Sequence, residues 1–246
     1  MINPKRAVIL FTESPAYEDR GKVKFNLRNR KRIFDIFLKN TAKVIHQAQE
    51  RVSFDFIISS DPSLRKYYFR DSINLVQKGE SFASRFENTL QEIFLKNYDE
   101  VIILGNDCLN INSKLIINAF DKLRENNYVV GPASDGGFYL LALKLFSHKI
   151  FQNIEWQTNS VFDQLLYNIA DEGSSVKLLP ILSDIDSVND LFDWLNQCTS
   201  KLSATYFQIV KIISGSLHTL SENVFSIKSK LFAFSFWNRP PPAVCR

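Results

Sequence analysis

The 246-residue sequence contains little cysteine and histidine, and each shortage excludes a class of protein. Cys108, Cys198 and Cys245 are too few and too scattered for a disulfide framework, and no pair has the short spacing of a zinc site. The three histidines lie far apart in the sequence. The sequence also lacks a Walker-type phosphate loop and a Ser, His and Asp constellation, which argues against the commonest NTPases and hydrolases. Because the cysteines are few and scattered, we expect a reducing, cytoplasmic location.

Long apolar runs and a strong overall charge are also missing. No apolar stretch approaches the ~18 residues of a membrane-spanning helix, and the first ten residues do not have the length or the cleavage site of a signal peptide. The net charge is +4, but residues 201–246 carry six basic residues and only Glu222 as an acid. Because residues 1–200 are close to neutral, we expect no nucleic acid partner.

The sequence does contain the alternation that is typical of an α/β domain. Short apolar runs rich in β-branched residues alternate with stretches of helical period, which predicts βαβ units and a mostly parallel sheet flanked by helices. Ser187 followed by Asp190 resembles a capping box and predicts one more helix. The predicted strands are 7–12, 54–59, 101–104, 128–130, 138–143 and 176–179, and the predicted helices are 31–49, 81–96, 113–126 and 160–170.

The alternation ends near residue 197, which predicts an α/β domain over 1–198 and a helical appendage with a loose end over 199–246. This tail has an amphipathic stretch at 206–213, an aromatic segment at 232–237 and a proline run at 240–242. Two interpretations of the basic tail stay open. It could attach weakly to an anionic membrane surface, or it could pack on the core or form a homodimer.

Three acidic segments follow predicted strands, where ligands of open α/β sheets gather. Asp107 follows the run "VIILG" and could hold a divalent cation on a nucleotide, or it could cap the next segment. Asp135 stands at the tip of "GPASDGGFYLLAL", which is either a substrate loop or a tight hairpin. Asp184 and Asp186 precede a helix start, and Asp186 could share a cation with Asp107 or serve only as a cap.

Basic residues supply candidate phosphate contacts. Lys22 and Lys24 belong to a cluster of seven lysines and arginines within thirteen positions after the first strand, and Arg85 lies early in a predicted helix. Cations near a helix start favour phosphate binding, although most charge runs are solvated faces.

Five blocks in order, "AVILFTESP", "VIILGNDCLNI", "GPASDGGFYLLAL", "FQNIEWQTNSVF" and "LLPILSDIDSVNDL", resemble a bacterial family of glycosyltransferase-A-like proteins known as radical-SAM/selenodomain-associated transferases. The resemblance covers about residues 5–197. It implies a Rossmann-like nucleotide-diphospho-sugar transferase fold, related to nucleotidyltransferases that build molybdopterin and deazaflavin cofactors.

The resemblance also implies a site. The family's "GSDCP", "DGG", "WGT" and "DID" motifs match 105–109, 135–137, 156–158 and 184–186, and its arginine after "GDLG" matches Arg85. The metal candidates are Asp107 and Asp186, and the catalytic candidate is Asp135. The substrate-binding candidates are Arg85, Gly136, Gly137, Trp156, Thr158, Asp184, Lys22 and Lys24.

The motifs on the phosphate side depart from the family pattern. The family's "KTRL" is replaced by "KVKFNL" at 22–27, its "GDLG" by "ESFA" at 80–83, and the proline of "GSDCP" by Leu109. The loss of a glycine at Ala83 restricts the backbone near a ligand.

The leading hypothesis is metal-dependent glycosyl transfer from a nucleotide sugar to a small-molecule acceptor. Mg²⁺ or Mn²⁺ neutralises the departing diphosphate, and Asp135 orients or deprotonates the acceptor. Two alternatives stay open: a nucleotidyltransferase that joins a nucleoside triphosphate to a phosphorylated acceptor, and a divergent binding protein of the same fold that has lost turnover.

Overall fold

The computed structural model describes residues 4–13, 27–64, 72–198 and 204–216. The chain divides into two units, Met1–Cys198 and Thr199–Arg246. The strands of the first unit are β1 (Arg6–Phe11), β2 (Asp55–Ser60), β3 (Ile73–Val76), β4 (Glu100–Leu104), β5 (Tyr128–Pro132), β6 (Phe138–Leu143) and β7 (Val176–Leu178). Its helices are α1 (Leu27–Gln49), α2 (Phe82–Leu95), α3 (Ser113–Leu123), α4 (Val161–Asp171) and α5 (Val188–Gln197), with 3₁₀ turns at Pro62–Leu64 and His148–Phe151.

The seven strands form one sheet in the order β3-β2-β1-β4-β6-β5-β7. Only β6 runs against its two neighbours, β4 and β5, while the other adjacent pairs are parallel. The prediction of a mostly parallel central sheet is therefore confirmed. Because the chain crosses to β4 on the other side of β1, the carboxyl ends of these two central strands open onto a crevice.

The central strand β1 shows why the sheet lies between two helical layers. Val8 and Leu10 pack in the cluster that contains α1 and α3, whereas Ala7, Ile9 and Phe11 pack in the cluster that contains α2 and α4. Successive side chains of a strand point to opposite faces, so a strand covered on both faces must be apolar throughout. The run "AVIL" is fully buried for this reason.

The sequence located most elements to within a few residues. Helix α1 begins four residues before the predicted start at residue 31. The predicted capping box is confirmed, since the Ser187 side chain accepts the N–H of Asp190 and the Asp190 carboxylate accepts the N–H of Ser187. Strand β3 was not predicted, and only Leu75 of its four residues is buried.

The segment 131–143 is an antiparallel hairpin of β5 and β6, as one of the two interpretations predicted. The pairing shifts by one residue between Gly131 and Pro132. Gly131 also permits close packing, because a Cβ there would lie 2.4 Å from the ring of Tyr139.

In the second unit, α6 (Ala204–Ser216) contains the amphipathic stretch predicted at 206–213. The aromatic segment 232–237 and the proline run 240–242 lie outside the described residues. Among the helices of the described ranges, none has the length and hydrophobicity needed to cross a membrane. The domain division and the role of the tail stay predictions.

Candidate active site

Backbone hydrogen bonds join the segments that carry the predicted acidic residues. After β4, the carbonyl of Asp107 accepts the N–H of Ile185 at 3.1 Å. After β5, the N–H of Ser134 donates to the carbonyl of Leu182 at 2.9 Å. The segment that follows β7 is thus bonded to both of the others, and the three acidic segments meet at one edge of the sheet.

A cavity of about 610 Å³ lies at this edge, a volume in the usual range for small-molecule sites. It extends from the ends of β1 and β4 to the start of β6, with α1 and α2 contributing to its walls. Most of the predicted site residues line it. These residues are Arg85, Asp107, Asp135, Gly137, Trp156, Thr158, Asp184 and Asp186.

Three carboxylates in this cavity are arranged closely enough to hold a cation. One oxygen from each of Asp135, Asp184 and Asp186 lies within 4.8 Å of the others. Carboxylate oxygens are the ligands that Mg²⁺ and Mn²⁺ prefer, so the chemistry of the set fits the predicted cation. Asp107 lines the same cavity outside this group of three, and its predicted sharing of a cation with Asp186 stays a prediction.

Asp184 shows the electrostatic consequence of this crowding. The pKa of its carboxyl is raised to about 7, first because burial disfavours the charged form and then because Asp135, Asp107 and Asp186 repel a further negative charge. A bound cation would reverse this effect by stabilising the ionised carboxylate.

Asp135 lies at the tip of the β5–β6 hairpin and is exposed to solvent. Its Oδ1 accepts the backbone N–H of Gly137 at 2.8 Å, which fixes the carboxylate within the turn. Gly136 has a φ of +91°, and a Cβ there would lie 2.0 Å from the carbonyl oxygen of Asn159. Gly136 therefore shapes the turn and its contact with the 156–162 segment, and it does not line the cavity.

Neither Asp107 nor Asp186 is the N-cap of the helix that follows it, and the interpretation of Asp107 as a cap of the segment directly after it stays a prediction. Asn112 caps α3 by accepting the N–H of Leu115 at 3.2 Å. Ser187 caps α5. Both aspartates thus follow strands without serving as N-caps.

Part of the cavity wall is aromatic. The ring of Trp156 lies 5.4 Å from that of Phe82 and 5.3 Å from that of Phe86, and these contacts fix the indole beside the cavity. Thr158 lines the cavity next to it, and its hydroxyl donates to the carbonyl of Glu155 at 2.7 Å within its own turn. Gln157, between the two, has a φ of +64°.

Arg85 lines the cavity, but its guanidinium forms an ion pair with Glu13. Sequence reasoning missed Glu13, although it follows buried β1 in the way that Asp107 follows β4. The predicted phosphate contacts Lys22 and Lys24 lie outside the described residues.

Cys108, next to Asp107, is 3% exposed. Burial, together with the charge of Asp107, raises the pKa of its thiol to about 12. A thiol in this state is a poor nucleophile near neutral pH.

The sheet order, the single antiparallel strand and the cavity at the strand ends define the nucleotide-diphospho-sugar transferase fold. A crystal structure from Desulfovibrio desulfuricans G20, of a protein provisionally assigned as a nucleotide-diphospho-sugar transferase, aligns with a TM-score of 0.72 at 21% identity. The alignment covers 86% of this chain and 96% of that one. The predicted fold class is confirmed.

Two further structures have this fold at lower similarity. A 4-diphosphocytidyl-2C-methyl-D-erythritol synthase from Anaerococcus prevotii DSM 20548 aligns with a TM-score of 0.52 at 12% identity, over 77% of this chain and 94% of that one. Rv0371c from Mycobacterium tuberculosis H37Rv aligns with a TM-score of 0.51 at 10% identity, over 80% of this chain and 100% of that one.

At the sequence level, a family described as uncharacterised proteins conserved in bacteria (DUF2064) matches residues 44–158. No curated protein matches the chain.

Proposed function

We propose that this chain is a metal-dependent glycosyltransferase that uses a nucleotide-sugar donor. The observation that carries the proposal is the convergence of Asp135, Asp184 and Asp186, within 4.8 Å, on a cavity that also contains Arg85 and Trp156. Acidic residues from distant parts of the sequence meet in a cavity that Arg85 and the aromatic surface of Trp156 also line, which suits a ligand with a diphosphate and a ring.

The cation is assigned to Asp184 and Asp186, with Asp107 on the same cavity wall. These carboxylates would hold Mg²⁺ or Mn²⁺, which would supply positive charge to stabilise a departing diphosphate. The close approach of the carboxylates supports this assignment, and a divalent cation would offset both the burial and the repulsion that raise the pKa of Asp184.

Arg85 and Trp156 are assigned to the donor. Arg85 would contact a phosphate after exchanging Glu13 for it, since both are anions that a guanidinium binds by paired hydrogen bonds. Trp156 would provide an apolar surface for the base or the sugar, with its ring held in place by Phe82 and Phe86.

Asp135 is assigned to the acceptor. It is the exposed member of the acidic group, and one of its oxygens is fixed by Gly137. An acceptor hydroxyl would attack the anomeric carbon and give its proton to Asp135 while the bond from that carbon to the diphosphate oxygen breaks. The products would be a glycoside and a nucleoside diphosphate.

Nucleotidyl transfer is the second candidate, and the fold shared with the Anaerococcus synthase favours it. The same cation would then bind a nucleoside triphosphate, and pyrophosphate would leave. The third candidate is the one that the altered motifs suggested: a protein of the same fold that binds ligands but no longer catalyses a reaction.

The finer family assignment belongs to this proposal as well. The resemblance to the radical-SAM/selenodomain-associated transferases is supported by the DUF2064 match over 44–158 and by the fold. A cytoplasmic location and the absence of a nucleic acid partner are proposed with it, on the cysteine content and the charge distribution.

A thermal-shift screen followed by product analysis tests the proposal. We expect nucleotide sugars to raise the melting temperature only with Mg²⁺ or Mn²⁺, and nucleoside diphosphate to be released. Release of pyrophosphate from any nucleoside triphosphate would show that nucleotidyl transfer, and not glycosyl transfer, is the reaction. Failure of every nucleotide and nucleotide sugar to bind would contradict both enzymatic proposals.

A further inference from the structure

A second cavity, of about 330 Å³, lies against the first. Its walls come from α5 and from the segments that follow β4, β5 and β7. Four residues line both cavities: Asp135, Asp184, Ile185 and Asp186. The acidic group is therefore the partition between two spaces, and a ligand in either space can contact it.

The two cavities differ in charge. The second is lined by five aspartates, because Asp190 and Asp193 of α5 add to the three of the partition. Within the described part of the chain, no lysine, arginine or histidine lines it. One divalent cation at the partition would leave an excess of negative charge, and a ligand with a phosphate group would be repelled.

The remaining wall of the second cavity is suited to hydroxyl or amine groups. Trp194 is 9% exposed, and its indole Nε1–H donates to Oδ1 of Asn110 at 3.0 Å, which fixes the ring. Ser134 and Gln197 add further polar groups. A flat apolar ring beside carboxylates and amides favours ligands that combine C–H faces with hydroxyl or ammonium groups.

We infer that the second cavity is the acceptor site and that it takes a neutral or cationic polyhydroxy or amino compound, not a phosphorylated one. This inference rests on the proposed function, since it places the acceptor across the acidic partition from the nucleotide sugar. Asp135 borders both spaces, so it can accept the proton of an acceptor hydroxyl in the second cavity as the anomeric carbon in the first is attacked.

Three sugars that share one ring and differ in charge test the inference: glucosamine, glucose and glucose 6-phosphate. Saturation-transfer NMR in the presence of Mg²⁺ measures their binding to the full chain. We expect glucosamine to bind best and glucose 6-phosphate at least about tenfold more weakly, from repulsion by the uncompensated carboxylates.

The Asp193→Lys variant shows whether the second cavity is responsible. Asp193 is exposed on α5, whereas Asp190 accepts the N–H groups of Asp186 and Ser187 and must be kept for the helix start. The variant should reduce the preference for glucosamine over glucose 6-phosphate by about fivefold, as expected for a screened charge reversal. Asp171→Lys makes the same charge change at the exposed last residue of α4, which lines neither cavity, and should leave the preference unchanged.

The outcomes separate this inference from the proposed function. Nucleotide-sugar binding together with glucose 6-phosphate binding equal to that of glucosamine would overturn the inference and leave the proposed function standing. The absence of binding by all three sugars, or equal effects of the two lysine variants, would also overturn it. If glucosamine is preferred over glucose 6-phosphate but no nucleotide sugar binds, the inferred selectivity of the second cavity would be supported and the proposal of glycosyl transfer would be contradicted.

Discussion

The acidic and basic sides of the first cavity are built differently. On the acidic side, burial first and then repulsion by Asp135, Asp107 and Asp186 raise the pKa of Asp184 to about 7. On the basic side, Arg85 is already paired with Glu13. A bound cation would stabilise the ionised form of the acidic side, whereas the basic side can bind an external anion only when Arg85 gives up Glu13. In the proposed function, a diphosphate with its cation would meet both conditions at once.

The largest expected effect tests whether the acidic side performs chemistry as well as binding. Asp135→Asn keeps the shape of the side chain but removes the proton acceptor, so release of nucleoside diphosphate should fall by about 10²–10⁴-fold. The cation-induced rise in melting temperature should persist, because Asp184 and Asp186 remain. Full activity in this variant would remove Asp135 from the mechanism.

Gly136→Ala tests whether the hairpin turn sets the geometry of the acidic side. The new Cβ would lie 2.0 Å from Asn159 at a φ of +91°, so the free energy of unfolding should fall by about 2–3 kcal/mol. Gly137→Ala is the matched control, since its Cβ would lie 3.1 Å from the Asp135 carboxylate, and should cost about 1 kcal/mol or less. Urea denaturation measures both, and equal losses would contradict the prediction.

The Asp184→Asn variant tests how the charge of Asp184 affects stability, through the pH dependence of the melting temperature. The folded-state pKa of Asp184 is raised from 3.8 to about 7, so this group favours folding below about pH 4 and loses that contribution as the pH rises through 7. Without added cation, the variant should melt higher than the parent at pH 8, by about 2–4 °C for each kcal/mol of repulsion relieved. The difference should shrink towards pH 4.

The same variant should also bind Mn²⁺ at least about tenfold more weakly, because a ligand oxygen is lost. Thermal shift with and without Mn²⁺ measures both effects. Unchanged cation stabilisation in Asp184→Asn would place the cation elsewhere.

Glu13→Gln tests the basic side and should have the smallest effect. Freeing Arg85 from a partly exposed ion pair should strengthen nucleotide-sugar binding by about two- to fivefold, since such pairs contribute about 0.2–1 kcal/mol. Glu87→Gln, which removes a carboxylate paired with His148 outside both cavities, is the control for the change in net charge. Weaker binding in Glu13→Gln would show that Glu13 itself contacts the ligand.

Hydrophobic periodicity predicted the elements buried on both sides, such as β1, because a covered strand must be apolar. It missed β3 at the sheet edge, because Ile73 and Asn74 are exposed there and the strand has no continuous apolar run. Turn chemistry predicted the β5–β6 hairpin as one of two interpretations, and the structure shows that the hairpin also presents Asp135 to the cavity.

The candidate site could be predicted only in part, because its residues meet through strand order. The rule that ligands gather after parallel strands identified Asp107, Asp135, Asp184 and Asp186, and the resemblance added Trp156 and Thr158. Neither could show that Glu13 pairs with Arg85, or that α5 and Trp194 enclose a second cavity. The Arg85–Glu13 and Trp194–Asn110 contacts join residues more than seventy positions apart, and they depend on tertiary packing that cannot be predicted from local sequence.

The backbone bonds from Ile185 to Asp107 and from Ser134 to Leu182 have a consequence for redesign. Main-chain hydrogen bonds connect the three acidic loops, so we expect the candidate side chains on these loops to be exchangeable without loss of the backbone arrangement. Replacing aspartates there by histidine would offer nitrogen ligands to a zinc ion on an unchanged scaffold.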